Sequence, residues 1–132
     1  SRSVKEVNYI NTWGLYQAFQ GIDDELIDIN DRITFFDIVP NGKVFECVDE
    51  SDTLTLRYGD KFFKVDPQLY KVVNKPKYRI GENVIIISKS KIVEIIDINW
   101  HIKENVPFYH IKDNGKKSTR RYFEDELKKI DE

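Results

Sequence analysis

The feature that most restricts the fold of this chain is that it spells one pattern twice. "IDINDRITFF" (27–36) aligns with "YRIGENVIII" (78–87) without a gap, setting Ile29 on Ile80, Asn30 on Gly81, Asp31 on Glu82 and Ile33 on Val84. Asn and Gly are the residues that most readily enter the left-handed backbone region. Both copies therefore predict a turn, an acidic residue and then a strand. "KVFEC" (43–47) aligns with "KIVEI" (91–95), again without a gap. "VDPQLYKV" (65–72) aligns with "FEDELKKI" (123–130), setting Leu69 on Leu127 and Val72 on Ile130. The three blocks keep their order, which predicts one small supersecondary unit built twice. The second copy carries an insertion between its second and third blocks, of the kind that falls in surface hairpins or loops.

The first copy reads as strands near 32–38, 43–50, 53–58 and 61–65, a short turn over Asp66–Gln68 and a last strand near 69–73. "PNG" (40–42) and "YGD" (58–60) supply turns, and "TLTLRY" (53–58) alternates as a half-buried strand does. The second copy reads as 83–88, 91–98, 106–112 and 117–123, a turn at Glu124–Glu126 and a last strand from Leu127. "DNG" (113–115) between strand-like runs is a hairpin signal. "NKPKY" (74–78) is polar and carries Pro76, which marks a boundary. Five short strands with a single-turn helix before the last resemble an SH3-like small barrel, including its KOW- and Tudor-type relatives. The likeness rests on "GENV" and on the acidic turn, and covers most of 29–130. It implies a mostly-β fold of two five-stranded barrels in tandem: 27–75 and 76–132, after an N-terminal extension over 1–26. A second pattern is similar to that of small bacterial proteins: Trp100, His101, Lys103, Tyr109, Gly115–Lys117, Arg121, Tyr122 and Leu127. It brings no activity with it.

A unit this small buries too little surface to be stable alone. An N-terminal strap would help. "TWGLYQAF" (12–19) spaces Trp13, Tyr16 and Phe19 by three, the apolar stripe of a short helix. "IVEIIDI" (92–98) is apolar on both faces, with Val93 and Ile95 one way and Ile92, Ile96 and Ile98 the other. It is expected between the barrels or in a homodimer interface.

The totals narrow the chemistry. A net charge of −2 gives no global attraction to nucleic acid or anionic membrane. Cys47 stands alone, so no intramolecular disulfide forms, which fits a reducing, cytoplasmic setting. The chain has no Met, so the opening residues are left out of the fold reading, and "SRSVKEVNYI" has no apolar segment of a signal peptide. The longest apolar run, Val84–Ile87, is too short for a bilayer. His101, His110 and one Cys offer no ligand spacing, so no metal and no cofactor is expected. The carboxylates of Asp23–Glu25 and of Glu124–Glu126 read as solvated turns. Cys47 aligns with Ile95, which predicts a buried, inert thiol. With no G-x-S-x-G, P-loop or G-x-G-x-x-G, no catalytic residue is assigned.

Two stretches carry the binding expectation. In "HIKDNGKKSTRRY" (110–122), a two-residue turn at Asn114–Gly115 sets Lys112 opposite Lys117, His110 opposite Thr119 and Phe108 opposite Arg121. One hairpin face then presents Phe108, His110, Lys112, Lys117 and Arg121. The plainer reading is a solvated tip whose lysines discourage edge pairing. In "NWHIK" (99–103), Trp100 and His101 could open an aromatic groove of the peptide-binding kind; the plainer reading has Trp100 capping a barrel end. The leading expectation is a non-catalytic module that binds a protein or peptide through the second barrel. The alternative is nucleic-acid binding by the basic hairpin, since rings mixed with cations suit bases and phosphates.

Overall fold

The computed structural model describes residues 8–131. In chain order its elements are β1 (Trp13–Tyr16), α1 (Arg32–Asp37), β2 (Phe45–Glu50), β3 (Leu54–Tyr58), β4 (Lys61–Val65), β5 (Tyr70–Val73), β6 (Asn83–Ile86), β7 (Lys91–His101), β8 (Val106–Asp113), β9 (Lys116–Lys117), β10 (Tyr122–Phe123) and β11 (Leu127–Lys129). They build a mostly-β fold of two antiparallel sheets, ordered β4-β3-β2-β1-β5 and β10-β8-β7-β6-β11, with β9 pairing off β8. With β9 set aside, the two orders are the same. A single 3-10 turn precedes each closing strand, at Pro67–Leu69 and Glu124–Glu126. Each turn is held by a carboxylate: Asp66 accepts from Gln68 N at 2.8 Å, and Glu126 from Phe123 N at 2.9 Å.

The middle block of the repeat carries the likeness furthest. Phe45 pairs with Gly14, and Val93 with Val84. Cys47 and Ile95 are both fully buried. Each strand then bulges at the next step, between Cys47 and Asp49 and between Ile95 and Asp97. The bulge overturns one expectation. An extra residue, Ile96, resets the alternation, so Ile98 turns into the same core as Val93 and Ile95, while Ile92 stays 58% exposed.

The first block does not hold. Residues 32–37 are helix, with only Phe35 buried, not the strand expected over 32–38. The strand that heads the first sheet is β1, inside the segment expected to be a strap and in place of the helix expected over 12–19. All four β1 residues are buried, because the strand lies between two cores: Trp13 and Leu15 belong to the second, Tyr16 to the first. Phe19 is 60% exposed and completes no stripe. Residues 1–7 of the expected strap lie outside the described residues. The third block is displaced by one: Tyr70, not Leu69, pairs with Tyr16, as Leu127 pairs with Ile86.

Neither sheet closes into the expected barrel, since no ladder joins β4 to β5 or β10 to β11 among the described residues. The free edge of β4 is instead covered by the preceding loop. Ile27 bridges Val65, Asp28 N donates to Lys64 O, Asp66 N donates to Leu26 O, and Lys64 N donates to the Asp31 carboxylate. Such cover removes an exposed template for strand pairing.

The two sheets are joined along β7. Val44 N donates to Ile98 O at 3.0 Å and Trp100 N to Gly42 O at 2.8 Å. The Tyr58 hydroxyl donates to Asp97 Oδ1 at 2.5 Å and accepts from Ile98 N at 3.1 Å. Arg79 grips both oxygens of Glu46, at 3.0 and 3.3 Å, with its guanidinium 5.3 Å from the Trp13 ring centre. No helix among the described residues is long and apolar enough to cross a membrane.

Candidate functional site

Along β8, Pro107, Tyr109 and Ile111 are buried, the last two in the second core, so the intervening Phe108 and His110 face outward. The ladders set Asn99 and Phe123 on either side of Phe108, and Asp97 beside His110. His101 closes the row from the end of β7. The rings touch in sequence: His101–Phe123 at 5.7 Å, His101–Phe108 at 6.3 Å, Phe108–Phe123 at 6.0 Å and Phe108–His110 at 5.8 Å. Over them lies Arg121, 5.4 Å from the Phe108 ring centre and 5.5 Å from that of Phe123. A guanidinium across two ring faces is held by their quadrupoles.

One imidazole is held by a backbone amide and the other by a side-chain amide. His101 Nδ1 accepts from Glu104 N at 3.0 Å, so the neutral ring carries its proton on Nε2. His110 Nδ1 lies 3.3 Å from Asn99 Nδ2. The His110 pKa is lowered by burial, with Lys117 and Lys43 pushing the same way and Asp97 opposing them. Of the seven residues expected to form a binding site, His101, Phe108, His110 and Arg121 meet on this face.

Lys112 and Lys117 extend the face toward the hairpin tip, where the Asn-Gly turn sets them opposite each other as expected. The ladder then breaks. Ser118 N donates to Ile111 O, and pairing resumes at Tyr122–Tyr109. Two extra residues are absorbed in between, so Phe123, not Arg121, lies opposite Phe108, and His110 does not pair with Thr119. Arg121 still reaches Phe108 because a guanidinium stem is long. Trp100 is a correction. Next to His101 on a strand, it points to the other face, where it is 7% exposed in the second core and donates through Nε1 to Asn105 Oδ1 at 3.3 Å. It shares no groove with His101.

Charge varies along the face. Lys117 Nζ is 3.8 Å from Asp97, Lys91 pairs with Asp113 at 2.6 Å, and Arg120 with Glu126 at 2.6 Å. Among the described residues, Lys112, Lys116 and Arg121 make no ion pair. At the opposite end a groove of about 620 Å³ is lined by Val106, Pro107 and Phe123 with the carboxylates of Glu104, Glu124, Asp125 and Glu126. Phe123 and Asn99 were not singled out from the sequence. The signal for Phe123 was present, since the strand expected over 117–123 sets it two residues from Arg121 and so on the same side.

Elsewhere the reactive groups are quenched. Burial pushes the Cys47 thiol up to about 11, and Glu50 adds to this. The Tyr58 and Tyr109 hydroxyls are likewise raised by burial and by the carboxylates they bond, Asp97 and Glu124. Among the described residues no three His, Cys, Asp or Glu side chains are grouped to hold a metal. The outer face offers rings, two imidazoles and an aromatic-stacked cation.

A family described as a family of unknown function, DUF6960, matches residues 6–128, a span that takes in both sheets and the whole of this face. No curated protein and no solved structure matches the chain.

Proposed function

The chain belongs to the DUF6960 family, and we propose that it is a non-catalytic binding module that takes a protein or peptide on the outer face of its second sheet. One observation carries the reading: Phe108, Phe123, His101 and His110 form a continuous ring row on β7, β8 and β10, with Arg121 stacked on it. Aromatic and arginine side chains on a rigid sheet are the residue types that dominate protein interfaces. The shared strand order and the 3-10 turn before each closing strand support reading the halves as two SH3-like units in tandem. The first of these recruits β1 from upstream of residue 27. The lone, buried Cys47 supports a reducing, cytoplasmic setting.

A polypeptide fits this face better than a nucleic acid. Lys117 and Arg120 already have carboxylate neighbours, and four acidic residues line the groove at one end. A phosphate backbone laid along the row would meet them. The test is capture of polypeptides from host lysate on the immobilised chain, with and without nuclease. Polypeptides retained after nuclease and in high salt, and released at least tenfold by Phe108→Ala, are the expected result. Capture that nuclease abolishes, with affinity falling steeply in salt and on Lys117→Glu, would overturn it in favour of nucleic acid.

A further inference from the structure

Resting on that reading, the geometry points to a particular occupant of the face: the acidic, apolar segment between β1 and β2 of a second copy of this chain, docked head to tail. This segment leaves an unusual amount of apolar surface in water. Ile33 is 87% exposed, Ile22 81%, Ile29 73%, Val39 66% and Phe19 60%. Single exposed apolar residues are ordinary, but five large ones within one connection are apolar surface that burial against a partner would relieve. Their exposure also means that the chain's own second sheet does not cover them.

The segment is held in shape. Its arms lie side by side, since Ala18 N donates to Asn41 Oδ1 at 2.8 Å and Gly42 N to Gln17 Oε1 at 3.0 Å. Asp23, Asp24 and Asp28 accept from the amides of Phe19, Gly21 and Asn30, and Asp31 from that of Lys64. Val39 is kept at a φ of 55°, a backbone region that a β-branched residue enters only under constraint. A surface ordered before binding loses little entropy on contact.

The charges select the partner. Between residues 17 and 41 stand Asp23, Asp24, Glu25, Asp28, Asp31 and Asp37, against Arg32 alone. Among the described residues Arg121 on the ring row and Lys112 and Lys116 toward the tip make no ion pair, though Glu94 stands opposite Lys112 in the ladder. The carboxylates of the groove stand at the other end of the row, so a compact apolar segment with acidic surroundings meets the Arg121 and hairpin end alone, and this polarity orients docking. Each copy has one of each surface. Docked head to tail, the contact is heterologous and leaves one surface of each kind free at the two ends, where further copies add.

Sedimentation velocity on the full chain tests this. The weight-average mass is expected to rise at least twofold from micromolar to sub-millimolar concentration, in high salt as in low, because the apolar contact carries the affinity and the charges orient it. Ile33→Glu and Arg121→Glu each spoil one surface at an exposed position and should each stay monomeric. Their equimolar mixture should form a pair and stop there, because only one good contact remains. Ile22→Glu with Lys112→Glu repeats the test should either first variant lose its far-UV spectrum. A wild type that stays monomeric throughout, or variants whose mixing restores nothing, would overturn the inference. If the wild type is monomeric and Phe108→Ala still releases a captured polypeptide, the partner is another protein: the binding reading stands and self-docking falls.

Discussion

The Tyr58 hydroxyl bonds Asp97 and the Ile98 amide across the joint between the sheets. Removing it leaves a buried N–H and a carboxylate oxygen without that partner, which costs about 1–3 kcal/mol. Tyr58→Phe should lower stability by that amount in urea unfolding. Val39 offers the opposite case. A left-handed backbone costs an ordinary residue about 1–2 kcal/mol, and Asn tolerates it better. Val39→Asn should therefore raise stability by roughly 1 kcal/mol, read as a higher urea midpoint. His110 gives a pH dependence. Its folded pKa is lowered below the unfolded value, so the unfolded state binds the proton first, and stability falls as pH drops below about 6.5 toward the folded pKa. Thermal melts should show this loss, and His110→Gln should reduce it. At this scale the sequence was readable where a residue had a counterpart: Cys47 stood on Ile95, and both are core. It was not readable at Trp100, whose neighbour His101 faces the other way. Composition alone cannot say which of two adjacent aromatic residues on a strand looks outward.

Gly14 decides whether the first sheet assembles. A Cβ there would sit 2.5 Å from the Tyr70 ring and 2.6 Å from the Lys71 carbonyl oxygen. The β1–β5 ladder, which runs through Gly14–Val72, leaves no room to yield. Gly14→Ala should cost about 1–3 kcal/mol through overpacking, with early amide exchange in β5 as the signature. The same strand shows why one element escaped the sequence reading. β1 is four residues long and buried on both sides, so it has no apolar–polar alternation. Within 12–19 its aromatic spacing imitates a helix. The strand expected at 32–38 failed for the converse reason, because "RITFFD" is rich in β-formers and becomes a short helix under tertiary packing of Phe35. β3, the Asn-Gly hairpin and the acidic turns were legible because alternation and turn chemistry are local. The aromatic row was legible only in part. Its register depends on two residues absorbed between Lys117 and Tyr122, which no local rule announces.

The whole molecule should behave as one unit despite its doubled plan. Trp13, Leu15 and Val44 come from the first sheet's stretch of chain yet belong to the second core. Hydrogen bonds tie residues 42–44 to 98–100. Calorimetry should show a single transition whose calorimetric and van't Hoff enthalpies agree. A fragment beginning at residue 76 should not fold alone, since it lacks those three side chains. Two separate transitions would mean the joint is only contact.

The twin bulges show where the two halves differ in length. Beyond Asp49 the chain turns back within a few residues; beyond Asp97 it runs on to His101, turns, and returns. Most of the second half's extra length therefore lies downstream of the kink, where it lengthens a projecting arm and leaves interior spacing alone. The arm's flank is what meets Lys43. A tolerance for extra residues past a bend thus becomes the clasp between the halves, and the turn at 102–105 marks where further length could be spliced in with least disturbance.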